Sequence, residues 1–190
     1  MNSWPISCHG FGAREVGSDD HGQNNDIYSM EYTFADGRKA FCGFRRALKG
    51  HQEFATFVHC SKKAGQFSGN VHKATVHMFN DQRISTDNIA WSPKPDEHVP
   101  WDYEWINFID SIRNDKPHNE AKRAVYSDYA SLMGRAAAHT NQVVTWDEVV
   151  NSQFQFCDNI DQLDYNSPPP VTADDEGYFL APHAGIWKEL

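Results

Sequence analysis

Residues 26–46 read DIYSMEYTFADGRKAFCGFRR, and their spacing sets the fold class. Tyr28, Met30, Tyr32 and Phe34 alternate with Ser29, Glu31 and Thr33, the period of a strand with one face buried and the other in water. Asp36-Gly37 then supplies residues that tolerate positive φ, as a tight hairpin turn requires. Ala40, Cys42 and Phe44 alternate again on the return. An antiparallel hairpin is therefore expected at the centre of the fold.

Working outward, residues 1–24 are polar and glycine-rich. HGFGARE contains a GxG, but no apolar run leads into it and no helix with a third glycine follows, so it reads as a turn entering a strand and not as a phosphate cradle. On the other side, FATFVHC (54–60) and ATVHMF (74–79) are strand-like, joined by a turn-rich stretch with room for a short strand. Pro93, Pro95 and Pro100 mark residues 80–100 as an irregular crossing.

After Trp101 the period changes to 3.6. Trp105, Ile106, Ile109 and Ile112 form one stripe of a helix that should stop at Asn114. A second helix is expected from Glu120 to His139, with Asn119 capping it, Asn141 ending it in the left-handed conformation, and Ala121, Val125, Leu132, Met133 and Ala136 on its buried face. Val143-Val144 reads as a short extended segment. Thr145-Trp-Asp-Glu148 fits a capping box opening a third helix over 146–152. Trp105, Phe108 and Trp146 are expected in the core, and Arg135 should pair with an acidic side chain.

Strands first and helices second imply an α+β fold: an open, mostly antiparallel sheet with helices packed on one face. The expected division is 1–152 for this domain, with strands over about 26–79 and helices over about 102–152. Residues 153–190, interrupted by Pro168-Pro169-Pro170, form an extended tail that docks on it through its aromatic residues.

Composition narrows the function. The 190 residues carry 17 basic and 26 acidic side chains, a net charge of −9, against the basic stripe of a nucleic-acid binder. Twelve Phe, seven Tyr and six Trp supply enough apolar area for a core. No apolar run approaches the roughly 18–20 residues of a membrane span, and the opening MNSWPISCHG does not resemble a secretory signal, so a cytoplasmic location is expected as written, or an exported one if a signal lies upstream. Four cysteines include no CxxC pair, and Cys42 and Cys60 are expected as buried free thiols. Of ten histidines, the groupings His59-Cys60 and His72-x4-His77 match no zinc spacing, so no metal is expected.

Residues 101–152 also carry a family resemblance. Ile109-x-Ser111-Ile112-Arg113, Lys116-Pro117-x-Asn119-Glu120-Ala121, Met133-Gly134-Arg135 and Val144-Thr145-Trp146-Asp147-Glu148 follow, in order, the closing pattern of the Gfo/Idh/MocA oxidoreductases, with Asn141 where glycine is usual. Upstream, His9-Gly10-x-Gly12-x-Arg14, DIYSMEYTFADG and QFSGNVHKATVHMFNDQR are similar to the same family, so the resemblance spans the chain from about Pro5 onward. It implies the family's C-terminal sheet domain, which supplies substrate contacts and often an oligomer interface. The family's Rossmann domain, with its glycine-rich fingerprint and E-K-P lysine, has no counterpart in these residues, and neither has its catalytic helix. No catalytic or nucleotide-binding residue therefore carries over. NAD(P) is implied for full-length relatives, and none is expected to bind this chain alone.

Two functions follow from that resemblance. In one, the chain is the substrate-binding and oligomerising domain of an NAD(P)-dependent sugar or polyol oxidoreductase, inactive alone and working with a separate NAD(P)-binding chain. In the other, it is a stand-alone sugar-binding or scaffold module. An open sheet face exposes large side chains at about 1.5–3 kcal/mol each relative to burial, so a homo-oligomer through that face is expected. For a sugar-like small molecule the candidates are His9, Arg14, His72, His77 and Trp101, since cationic and imidazole donors beside an aromatic face suit hydroxyl-rich ligands. Each has a structural reading too: an ion pair for Arg14, packing for Trp101, surface exposure for the histidines.

Overall fold

The computed structural model describes residues 3–14, 22–46, 49–67 and 75–190. Among the described residues, eight strands form two four-stranded antiparallel sheets, accompanied by three α-helices, so the fold is α+β. The chain divides into two compact units, Met1–Leu48 with Glu120–Leu190, and Lys49–Asn119.

The first unit holds β1 (Pro5–Ala13), β2 (Ile27–Phe34), β3 (Lys39–Arg45) and β8 (Val144–Thr145), in the order β3-β2-β1-β8. The hairpin of β2 and β3 forms as its alternation implies, pairing Tyr28 with Phe44, Met30 with Cys42 and Tyr32 with Ala40. Its turn differs in detail. Gly37 has φ +82°, its N–H bonds the Phe34 carbonyl, and the Phe34 N–H bonds the Arg38 carbonyl, so a three-residue loop replaces the two-residue turn.

The GxG segment is the main correction. It is no turn: β1 runs through it, in register with β2 from Ser7–Thr33 to Ala13–Ile27. The glycines hide the alternation because the fold needs them bare. A Cβ on Gly10 would stand 2.5 Å from the Ser29 carbonyl oxygen, and one on Gly12 would meet the Asn25 amide.

On one face of this sheet lies α2 (Ala121–Thr140), followed by α3 (Trp146–Asn151). Asn141 ends α2 with φ +59°, and Thr145 and Glu148 make both bonds of the capping box. The core is Cys8, Met133, Ala136, Ala137, Val144 and Val149, flanked by Met30, Tyr32, Tyr129 and Trp146. Met133, Ala136 and Trp146 therefore pack as expected, whereas Ala121, Val125 and Leu132 are exposed. Burial is confined to the second half of α2, because that half carries the small residues that let it approach the sheet. A Cβ on Gly134 would overlap the Tyr32 hydroxyl and stand 2.8 Å from Met30 Sδ.

The second unit holds β4 (Thr56–His59), β5 (Ala64–Phe67), β6 (Val76–Phe79) and β7 (Ile89–Trp91), each paired with its sequence neighbour. The single expected sheet is thus two, since local antiparallel pairing closes these strands on one another without any crossover. Of the expected strand 74–79, Ala74 lies outside the described residues. The three-residue β7 falls within the stretch expected to be irregular, being too short to show a period. In α1 (Pro100–Arg113), the proline sits in the first turn, where its missing N–H costs nothing. No residue of α1 is buried, and Trp105 and Phe108, expected in the core, are 66% and 53% exposed. Cys42 and Cys60 are also exposed; the buried thiol is Cys8, whose pKa burial pushes up to about 12, too high for a nucleophile at neutral pH. Among the described residues, no helix is long and apolar enough to cross a membrane.

Candidate functional site

The pleat sends alternate residues of β1, β2 and β3 to opposite faces. Cys8, Met30 and Tyr32 turn toward α2, so their neighbours line the other face in cross-strand rows: Ser7, Thr33 and Lys39; His9, Glu31 and Phe41; Phe11, Ser29 and Gly43. Phe41 and Phe11, 75% and 58% exposed, flank a polar centre. There Lys39 Nζ donates to Glu31 Oε1 and to Thr33 Oγ1, both at 2.7 Å, and His9 Nε2 lies 3.5 Å from the same Glu31 oxygen. The hydrogen bond from Lys39 holds the Glu31 carboxyl below the usual carboxylate range. A Cβ on Gly43 would meet nothing within 4 Å, so this position faces open space.

A second cluster is buried. His139, at the end of α2, bonds Tyr28 Oη through Nε2 at 2.8 Å and Glu189 Oε2 through Nδ1 at 2.7 Å. Trp187 Nε1 donates to the same carboxylate at 2.8 Å, and Arg135 Nε lies 3.2 Å from its other oxygen. Arg135 thus has the acidic partner expected of it, and its guanidinium also stacks on Phe156 at 4.5 Å. The rest of the cluster has no signature in the sequence, because its members lie 111 and 50 residues apart.

Of the residues expected to touch a sugar, His9, Arg14 and His77 each have a partner within the protein. His9 belongs to the open face. Arg14 donates to the carbonyls of Phe179 and Asn24, at 3.1 Å each, and of Gly22, so it ties three backbone segments together. Both lie in the first unit. In the second, His77 Nδ1 pairs with Ser92 Oγ at 2.6 Å, and Trp101 sits in the first turn of α1, 48% exposed. His72 lies outside the described residues.

Gly10 and Gly12 lie inside β1, closely packed against Ser29 and Asn25. Among the described residues, no group of three His, Cys, Asp or Glu side chains could hold a metal ion. A scan against protein-family models matches none, and a search of curated proteins returns no match.

Proposed function

We propose that this chain is the substrate-binding and oligomerising domain of an NAD(P)-dependent sugar or polyol oxidoreductase of Gfo/Idh/MocA type. The observation that carries the reading is the first unit's sheet, helix-covered on one face and open on the other with Phe11 and Phe41 exposed. The colinear motifs from His9 to Glu148 support it independently. Hydride transfer needs a nicotinamide held against the substrate carbon, so these residues alone are inactive and act with a nucleotide-binding domain supplied by another chain or another part of the protein.

In this reading the open face meets a second copy. Light scattering of the purified chain at micromolar concentration gives a dimer or larger species, and Phe41→Glu, which replaces an exposed ring of the open face by a charge, gives a monomer with an unchanged circular dichroism spectrum. Titration with NADH gives no binding, while sugars or polyols perturb tryptophan fluorescence. Tight NADH binding by these 190 residues would overturn the assignment. Sugar binding by a protein that has no nucleotide-binding partner would favour the stand-alone module instead.

A further inference from the structure

The last stretch of the first unit is anchored to the rest of that unit near both of its ends. Near Tyr178 the Phe179 carbonyl accepts from Arg14 at 3.1 Å. At the other end the Glu189 side chain is 5% exposed and receives His139, Trp187 and Arg135. Between these points Leu180 and Ile186 are 69% and 70% exposed, so apolar burial contributes little to holding the segment.

The chemistry of the far anchor is ordered. A carboxylate only accepts hydrogen bonds, so His139 Nδ1 carries a proton toward Glu189. Nε2 of the same ring meets the Tyr28 hydroxyl at 2.8 Å, and that oxygen accepts the Asn25 N–H at 3.1 Å. The chain of hydrogen bonds ends on the Glu189 carboxylate. The groups facing that charge are His139 and Arg135 from α2; Tyr28 from β2 stands behind His139, with Asp26 beside it. Burial pushes the Glu189 carboxyl up, but the bonds from His139 and Trp187 and the charge of Arg135 outweigh it, leaving the group below the ordinary carboxylate range.

We propose that residues 178–189 are a charge-gated strap: the ionised Glu189 carboxylate latches it, and neutralising that one charge releases the segment while the β1–β2–β3 sheet and α2 stay folded. Residues 185–190 form one wall of a solvent-open cleft of about 700 Å³ whose other wall is built from residues 140–153, so release removes that wall. Because the folded carboxyl titrates below its unfolded value of about 4.3, the latch is closed above that pH and opens as pH falls through the depressed value. This device is independent of the oxidoreductase assignment.

Hydrogen exchange followed by NMR on the full chain tests it. In Glu189→Gln at pH 7, whose amide keeps an acceptor but not the charge, the Trp187 indole and backbone N–H exchange about tenfold faster or more, while β2 amides stay within about twofold. Unchanged Trp187 exchange would show that the charge is not the latch. Equal acceleration in β2, or failure of the variant to fold, would show that the segment belongs to the core. In the unsubstituted protein, acid releases the Trp187 indole before β2 loses protection; coincident loss overturns the proposal just as well.

Discussion

The two long helices make an instructive pair. By its pattern α1 is the better core helix, with Trp105, Ile106, Ile109 and Ile112 on one stripe, yet none of its residues is buried. By its pattern α2 is weak, mixing alanines with Lys122, Arg123, Asp128 and Arg135, yet it buries Met133, Gly134, Ala136, Ala137, Ala138 and His139. The difference is steric. Residues without bulk at 134 and 136–138 let the α2 backbone approach the sheet until Tyr32 Oη donates to the Ala130 carbonyl at 3.0 Å. Area available for burial and area that a neighbour can reach are separate quantities, and α2 shows that the second decides.

The comparison predicts a graded response to substitution. Met133→Ala, at a fully buried position, should cost about 2–5 kcal/mol in a urea unfolding experiment on the whole chain. A loss under about 1 kcal/mol would break the claim that α2 packs tightly. Gly134→Ala should cost about 1–3 kcal/mol, since the new methyl group lands on Tyr32 and Met30. Adding Tyr32→Phe removes the nearest atom, so a double-mutant cycle should recover part of that loss; strict additivity would place the clash elsewhere. Trp105→Ala and Ile112→Ala on α1 should each change the stability of the unassociated chain by less than about 0.5 kcal/mol. Larger losses would mean that the stripe is covered in solution. Smallest of all is a titration effect in the second unit. Hydrogen bonds from Arg83, followed by one from Asn88, lower the Asp81 carboxyl to about 2, so its interactions persist above its unfolded value near 3.9 and are lost as pH falls through about 2. An NMR titration midpoint near 4 would show that the Asp81–Arg83 pair does not form in solution.

How much of this was legible depended on the range of the cause. The β2–β3 hairpin, the Thr145–Glu148 box and the left-handed Asn141 could be read, because each rests on residues within a few positions of one another. Strand β1 could not, because Gly10 and Gly12 answer to Ser29 and Asn25 on the neighbouring chain segment. The open sheet face was anticipated in kind, but its polar centre depends on the cross-strand register that brings Lys39 to Glu31. Arg135 could be expected to find a carboxylate; that the carboxylate is Glu189, and that it serves His139 as well, needed the folded chain.

By itself, then, the sequence determined the α+β class, the hairpin, the positions of the helices, the Thr145–Glu148 box and the Asn141 stop, whereas the N-cap of α2 is Glu120 and not Asn119. Those features follow from backbone geometry and from hydrogen bonds between near neighbours. Tertiary structure alone decided that the strands divide into two sheets, that α2 buries its plain face while α1 buries none, and that Tyr28, His139 and Glu189 meet. Burial and long-range pairing require a second surface at contact distance, and periodicity along one segment carries no record of where that surface will be.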